Sequence, residues 1–336
     1  MHVAVYVPLV LPLLAAASAR WLAGRLPPWL ATWVLTATAV GLAAASGAAL
    51  AALAATAVGQ VPLVAAVGQW SARALRADDP ASLSVASVAC VLLIAALAAA
   101  ARAVTGRTRA LVRAARMARR LPADDSFDPM YRDPLAPVVV VDDPCPDAYA
   151  LPGMPGRIVV STGMLDGLDT DERRALVEHE RAHLRCGHHV FLALAALAAA
   201  ANPLLRPVAT AVGYATERWA DERAAAAVGD RRTVAGAIAQ AALLISHHHA
   251  GRRQPPQGAL AIVPAGRRAL ARTRAAVSLW RAGPVPRRVA ALLAGPPRSP
   301  RLALGLAVAM LVVAAAASIE TARDLETLFD LARLGA

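Results

Sequence analysis

The sequence predicts a mainly α-helical, multi-pass membrane protein, in which a cytosolic α+β domain is inserted between transmembrane helices. Three observations support this fold class. Of the 336 residues, 57% are hydrophobic, and they gather in long stretches of alanine, leucine and valine. A central block instead has short β-rich runs separated by Pro, Gly and Asp turns. That block leads into "VEHERAHLRCGHH", which holds four of the eight histidines.

Four apolar segments are each about long enough for a bilayer span, which takes roughly 20 residues. They are Met1 to Ala19, Trp29 to about Val58, Ala81 to Ala101, and Leu302 to Ile319. A further apolar run, Val190 to Ala201, is too short to span alone. We expect it to form a buried or membrane-grazing helix, and a fifth span within residues 190–213 is the alternative.

The charge distribution predicts the orientation of these spans. The net charge is +12 without a single lysine, and the segment from Arg102 to Arg120 has seven arginines and no acidic residue. The chain from Arg231 to Arg301 also lacks acidic residues. Because arginine near span ends favours the cytoplasm, we expect the central block to face the cytosol of a cytoplasmic membrane. A nucleic-acid partner is disfavoured, since no aromatic stacking platform accompanies the arginines.

The central block predicts a small sheet followed by a helix. "PVVVVDD", "DAYAL" and "GRIVVSTG" are typical of short strands, and Asp169 with Glu172 fits a capping box at the start of the helix. Gly187 is expected to end or bend this helix. The three cysteines, Cys90, Cys145 and Cys186, are too far apart in sequence to indicate a disulfide framework.

The predicted helix carries the pattern H-E-x-x-H at His179, Glu180 and His183. Residues four apart share a helix face, so both imidazoles can bind one ion, and zinc accepts such nitrogens at about 2.0–2.1 Å. Glu180 is turned aside from the two imidazoles, where it is suited to take a proton from the attacking water. The pattern therefore predicts a zinc-dependent hydrolase.

A catalytic zinc site needs a third protein ligand, and the sequence offers two candidates. His189 follows His179 by ten residues, where the longer pattern H-E-x-x-H-x-x-G-x-x-H places its third ligand. That pattern needs a glycine at its eighth position to turn the chain, but here Cys186 holds that position and Gly187 comes one residue late. Glu217 in "TERWADE" is favoured. Asp221 shares the helix face of Glu217 and is suited to accept a hydrogen bond from a ligand histidine.

"VEHERAHLRCGHH" followed by "ERWADERAAAAVGD" resembles the integral-membrane gluzincin metallopeptidases, above all the BlaR/MecR antirepressor type, and next the related HtpX/CAAX-prenyl-protease family. The resemblance is specific over Pro137–Arg232. It implies a zincin-like peptidase domain that holds one zinc per chain through His179, His183 and Glu217. It also implies Glu180 as general base and Asp221 as support behind a ligand histidine.

Six regions follow from the spans and this resemblance. We expect three transmembrane helices in 1–101, a basic cytosolic linker in 102–136, a zinc metallopeptidase domain in 137–250, a basic Pro/Arg-rich cytosolic segment in 251–301, a fourth transmembrane helix in 302–319, and a short extracytoplasmic tail in 320–336.

The β-lactam sensors of the BlaR/MecR type carry a penicillin-binding domain after the last span. This sequence has no lysine, so it contains no S-x-x-K acylation motif.

The resemblance implies an endopeptidase that cleaves a cytosolic or membrane protein, with signal transduction through cleavage of a BlaI-type transcriptional repressor as one role. An HtpX-like protease for membrane protein quality control is the first alternative. A non-catalytic membrane interaction protein with a vestigial metal site is the second. Besides the protein substrate, the lipid bilayer is the expected partner, and no direct contact with nucleic acid is expected.

Substrate binding and transition-state stabilisation are less well determined by the sequence. Extended peptides commonly pair with an exposed strand edge, and "DAYAL" with Tyr149 and Ala150 is the segment that we nominate. An ordinary internal strand is the alternative. The candidate donors to the transition state are Tyr149, Tyr214, Arg231 and His188. The run His247–His249 is a weaker candidate for a second metal site.

Overall fold

The structure, a computed structural model, describes residues 4–78, 83–121, 133, 136–251, 285–295 and 300–334. It is mostly helical with one small sheet, as predicted. The helices are α1 (Val7–Arg25), α2 (Pro28–Gly59), α3 (Pro62–Gly68), α4 (Ala72–Asp78), α5 (Leu83–Arg120), α6 (Thr162–Asp166), α7 (Thr170–Arg185), α8 (His188–Ala201), α9 (Arg206–Val228), α10 (Arg231–Gly251), α11 (Val285–Ala294) and α12 (Arg301–Leu334).

Four of these helices, among the described residues, are long and apolar enough to cross a membrane: α1 with the short turn before it, α2, α5 and α12. Each of them overlaps one of the four predicted spans. Helices α7 and α8 also pass this test when taken together, but they are bent by 61° at the break between them. Such a bend occurs in a broken span or in a re-entrant segment. Residues 190–201 can therefore be either a buried or membrane-grazing helix or part of a fifth span.

Two of the long helices continue beyond the predicted spans. Residues 102–120, predicted to begin a linker, continue α5 without interruption, because arginine and alanine favour helix and no proline intervenes. Residues 320–334, predicted as part of a short tail, continue α12 to Leu334 for the same reason. Most of the predicted segment 251–301 lies outside the described residues, and its described part includes the ten-residue helix α11.

The sheet consists of β1 (Val138–Val141), β2 (Ala148–Leu151) and β3 (Arg157–Ser161), in the order β1-β3-β2. Strand β3 pairs with β1 in parallel and with β2 antiparallel. Its buried face packs against α7, with Ile158, Val160 and Val177 in one apolar cluster. The three strands match the three predicted runs, and the sheet supports the helix that carries the H-E-x-x-H pattern.

Helix α9 joins this domain to the long apolar helices. Its first half contributes Val208, Ala211 and Val212 to a core shared with α1, α2, α8 and α12. Further along, the buried Arg218 donates from Nη1 to the carbonyl oxygen of Ala23 at 2.8 Å, near the carboxyl end of α1. A helix end has carbonyls without intrahelical partners, so a buried guanidinium is satisfied there. The residue next to Glu217 is thus fixed to the end of an apolar helix.

At the other end of the bundle, α12 packs against the connection between α2 and α5. Leu75 of α4 and Leu328 of α12 share an apolar cluster, and the rings of Trp70 and Phe329 meet edge to face at 5.0 Å. The extension of α12 therefore lies on the same side of the bundle as α3 and α4.

Candidate metal centre

Helix α7 presents His179 and His183 from a well-defined start and end. Asp169 accepts a hydrogen bond from the backbone nitrogen of Glu172 at 2.8 Å, and the Glu172 carboxylate accepts from the backbone nitrogen of Asp169 at 3.1 Å. The predicted capping box is confirmed. Gly187 has a φ of +62°, in the left-handed region that glycine tolerates, and it separates α7 from α8 as predicted.

The structure brings Glu217 of α9 to the two imidazoles of α7. The Nε2 atoms of His179 and His183 are 3.2 Å apart. One Glu217 oxygen lies 3.4 Å from His183 Nε2, and the other lies 3.7 Å from His179 Nε2. Within the described part of the chain, these three side chains form the one His, Cys and carboxylate cluster whose atoms are close enough to hold an ion.

These separations fit a tetrahedral zinc ion. Bonds of about 2.0–2.1 Å at tetrahedral angles place neighbouring ligand atoms roughly 3.3–3.4 Å apart. The three observed distances lie around that value before any ion has drawn the ligands together. Two imidazoles and one carboxylate are also the ligand types of a catalytic zinc site that leaves a fourth position open. The residues present therefore suit zinc.

Asp221 lies where a support for His179 is expected. Its Oδ1 is 2.9 Å from His179 Nδ1, on the side of the ring away from Glu217. An imidazole that donates from Nδ1 presents an unprotonated Nε2, which is the form that binds a metal. The 1% exposure of Asp221 keeps water from competing for this hydrogen bond. The i, i+4 spacing of Glu217 and Asp221 on α9 brings both carboxylates to His179.

Arg288 of α11 completes the cluster, and the sequence did not single it out. Its Nη1 lies 2.7 Å from the Glu217 oxygen nearer His179, while Nε and Nη2 donate to the two oxygens of Asp221 at 2.9 and 2.5 Å. This bidentate contact fixes the plane of the Asp221 carboxylate. The contact with Glu217 leaves the other Glu217 oxygen facing His183. Arg288 is one of many arginines in a Pro/Arg-rich segment, and nothing in the local sequence marks it.

The electrostatics of the cluster favour charged groups in spite of burial. Burial alone raises the pKa of Glu217, but the nearby Arg288 and His179 outweigh it and hold this pKa well below its usual value. The same balance, with Arg288 dominant, lowers the pKa of Asp221. Burial alone lowers the pKa of His179, yet the nearby carboxylates of Asp221 and Glu217 raise it to about 9. Both carboxylates are therefore ionised at neutral pH.

A cavity of about 240 Å³ opens beside the cluster. Glu180, with 4% exposure, lines it together with His179, Glu217 and Arg288. The remaining lining is aliphatic and comes from α7, α10 and α11, including Leu176, Val234, Ile238, Ala241, Ile245 and Val285. The geometry thus combines one carboxylate outside the ligand triad, a cationic side chain and an apolar chamber.

The other predicted site residues lie elsewhere. His189 is not part of the metal-holding cluster of the described residues. Tyr149 packs with Ala114 and Ala118 of α5 and does not line the cavity, nor does Ala150, although β2 is an outer strand of the sheet. The binding of substrate at these two residues stays a prediction.

Two further candidates, Tyr214 and Arg231, have structural partners instead. The hydroxyl of Tyr214 donates to the Arg287 carbonyl at 3.4 Å. Arg231 pairs with Glu222 and donates to the Leu292 carbonyl. His247 and His248 belong to helix α10, which continues to Gly251. Neither histidine joins an ion-holding cluster of the described chain.

A H-E-x-x-H helix whose imidazoles meet a glutamate from a second helix is the arrangement of a metal-dependent peptidase. The model of Peptidase family M48 matches residues 113–303, which is more than half of the chain. This chain belongs to peptidase family M48, a zincin-type metallopeptidase family that is generally zinc-dependent. The match does not distinguish the BlaR/MecR type from the HtpX type. No curated protein and no solved structure matches the chain.

Proposed function

We propose that this protein is a zinc-dependent endopeptidase of the cytoplasmic membrane, with its catalytic cluster on the cytosolic side. The observation that carries the proposal is the meeting of His179, His183 and Glu217 at ligand distances, beside a cavity that Glu180 lines. Membership of family M48 supplies the reaction class, which is metal-dependent proteolysis. Zinc is the ion that this set of ligands suits.

When bound, zinc supplies a Lewis acid that lowers the pKa of a water molecule towards ~7 and polarises the scissile carbonyl. Glu180 is the general base in this proposal. Its carboxylate follows the first ligand directly in sequence and faces the cavity, so it can accept the proton of the attacking water and pass it to the leaving amine. A positioned base of this kind contributes roughly 10²–10⁴-fold to the rate.

Arg288 and Asp221 hold the ligands in place. Arg288 contacts one Glu217 oxygen, which leaves the second to face His183. Asp221 fixes the ring of His179 through Nδ1. Because all these groups are buried, the ligand geometry is set before substrate arrives, and little reorganisation accompanies the reaction. Arg288 also lines the cavity and is a candidate donor to the oxygen that becomes charged in the transition state.

The cavity suggests what lies next to the scissile bond. Its walls are aliphatic apart from the catalytic groups, and its volume of about 240 Å³ accommodates one large apolar side chain. A peptide segment with leucine, isoleucine or phenylalanine at this position would bury that side chain for roughly 1.5–3 kcal/mol. The proposed substrate is therefore a protein segment with an apolar residue beside the cleaved bond.

Two contacts support the orientation. The carboxyl-terminal half of α5, which carries seven arginines from Arg102 to Arg120, packs against the sheet through Ala114 and Ala118. Its basic end and the catalytic domain are thus on one side of the bundle, and the distribution of arginine favours the cytosol for that side. Arg218 joins α9 to the end of α1 next to Ala23, so the cluster lies close to the membrane surface.

The proposed substrates lie at that surface. A BlaI-type repressor, implied by the resemblance to the BlaR/MecR type, would make the protein a signalling protease. Damaged membrane proteins, implied by the resemblance to the HtpX family, would make it a quality-control protease. Cleavage of a single protein in cells that express the active protease would indicate the signalling role. Cleavage of many unrelated unfolded proteins would indicate the quality-control role.

The test compares wild type, Glu180→Gln and Glu178→Gln expressed in the same cells, with quantitative proteomics of released peptides. Glu178 is the matched control, because it precedes the first ligand on α7 and pairs with Arg181 outside the cavity. We expect Glu180→Gln to keep its zinc and lose roughly 10²–10⁴-fold in cleavage, while Glu178→Gln cleaves like wild type. Full activity of Glu180→Gln would overturn the mechanism.

A further inference from the structure

His188, the first residue of α8, is a completely buried imidazole that the ligand triad does not include. It has 0% exposure. Its ring meets the His183 ring edge to face, with centroids 4.7 Å apart, and contacts the Trp219 ring of α9 at 4.9 Å. A polar side chain without solvent contact costs free energy unless it makes a hydrogen bond, so its placement needs a partner.

That partner is His183. The Nδ1 atoms of the two rings are 3.0 Å apart, which is hydrogen-bond distance. His183 Nε2 faces Glu217 and His179, so Nε2 is the nitrogen placed to bind the ion. A neutral imidazole that binds through Nε2 carries its proton on Nδ1. His183 is therefore the donor of this hydrogen bond, and His188 accepts through its own unprotonated Nδ1.

We propose that His188 is a positioning residue for the second metal ligand, and that its Nδ1 fixes the tautomer and ring orientation of His183 as Asp221 does for His179. The inference rests on the proposed function, because it assigns His188 a role in the same metal site. His179 is supported by a carboxylate and His183 by a neutral ring, so the two ligands are held by different chemistry.

The charges around the site explain why a neutral acceptor is suited to this position. Glu180, Glu217 and Asp221 lie at or beside the cluster, and Arg288 is the cation that contacts two of these carboxylates. A third supporting or ligating carboxylate behind His183 would add buried negative charge without a further cation, which is costly. An imidazole accepts the same hydrogen bond without that charge.

The other ring nitrogen of His188, Nε2, also supports this assignment. If His188 accepts through Nδ1, its proton lies on Nε2, and this atom is buried without a hydrogen-bond partner among the described residues. The protein thus keeps a buried N–H group without a hydrogen bond beside the Trp219 ring, which costs folding free energy. A histidine used only for packing would be replaced by an apolar residue at no loss, whereas a histidine that must accept from His183 would not.

The test measures metal affinity by chelator competition on the purified full-length protein, with Zn²⁺ and with Co²⁺ as a spectroscopic probe. His188→Leu removes the acceptor and keeps an apolar side chain of suitable size. His188→Asn restores an acceptor oxygen at the position of Nδ1. His189→Leu, which replaces the neighbouring half-buried histidine, is the matched control.

We expect His188→Leu to bind Zn²⁺ about 10–100-fold more weakly, and His188→Asn to recover most of that loss. The Co²⁺ absorption bands should shift in His188→Leu and return towards wild type in His188→Asn. Wild-type affinity in His188→Leu, or an equal loss in His188→Asn and His188→Leu, would overturn the inference. If wild type itself binds no metal, the proposed function fails instead, so the two failures are distinguishable.

Discussion

Replacing Arg288 with methionine tests the cluster beyond its ligands. Methionine keeps much of the side-chain volume but removes the charge that contacts Glu217 and Asp221, which are 2% and 1% exposed. Removing one partner of a buried ion pair costs about 3–5 kcal/mol, because the other charge stays buried. Proton uptake by one carboxylate reduces this cost, so the lower part of the range applies.

For a folded unit of about 150–250 residues, the size class of the matched peptidase region, 1 kcal/mol corresponds to roughly 2–4 °C in Tm. Metal-free Arg288→Met should therefore unfold roughly 6–12 °C below wild type in detergent, as followed by intrinsic tryptophan fluorescence. Added zinc should raise the Tm of the variant by more than that of wild type, because the ion neutralises a ligand carboxylate that Arg288 no longer contacts.

The matched control is Arg287→Met. Arg287 is exposed, and its guanidinium lies 4.8 Å from the centre of the Tyr214 ring without contacting the cluster. Its removal should change the Tm by only ~2 °C or less, as is usual for a surface cation. If Arg288→Met and Arg287→Met unfold at the same temperature, the two carboxylates do not depend on Arg288 and the reasoning is refuted.

Two further predictions concern protons and topology. With a pKa of about 9, His179 is protonated in the metal-free protein at neutral pH. Its protonation stabilises the metal-free folded protein fully below the unfolded pKa, near 6.5, and this stabilisation is lost as pH rises through 9. Zinc binding must displace this proton, so affinity should rise about tenfold per pH unit up to about pH 9, with about one proton released, as calorimetry in buffers of different ionisation enthalpy would measure. A pH-independent affinity would contradict the assignment. Reporter fusions should place both termini outside the cytoplasm, as four spans require; termini on opposite sides would indicate that α7 and α8 form a fifth span.

Local sequence signals accounted for the parts of the site that lie close together in the chain. The spacing of His179 and His183 determines a shared helix face, and the capping box at Asp169 determines where that helix starts. The three strands followed from β-branched runs between turn residues. Glu217 was predicted because it lies on the helix that follows the H-E-x-x-H helix and Asp221 follows it at i+4, and the structure brings it to the imidazoles.

The remaining parts depend on tertiary packing. Arg288 is 71 residues after Glu217, and its partners are determined by how α11 lies against α9, which no local pattern encodes. The pairing of His188 with His183 depends on the break at Gly187, where α8 leaves α7 at a bend of 61°. Helices α5 and α12 also continue beyond the predicted spans, because helix propensity persists through Arg102–Arg120 and through the end of α12 after the apolar runs have ended.

Zinc content after dialysis against a chelator tests the central claim, that α7 and α9 hold one ion between them. Glu217→Gln replaces the carboxylate ligand with a weak one of the same shape, and Glu222→Gln makes the same change on α9 at a residue that pairs with Arg231. Wild type and Glu222→Gln should retain about one zinc per chain, and Glu217→Gln far less. Equal zinc in Glu217→Gln and Glu222→Gln would contradict the assignment of Glu217 as the third ligand.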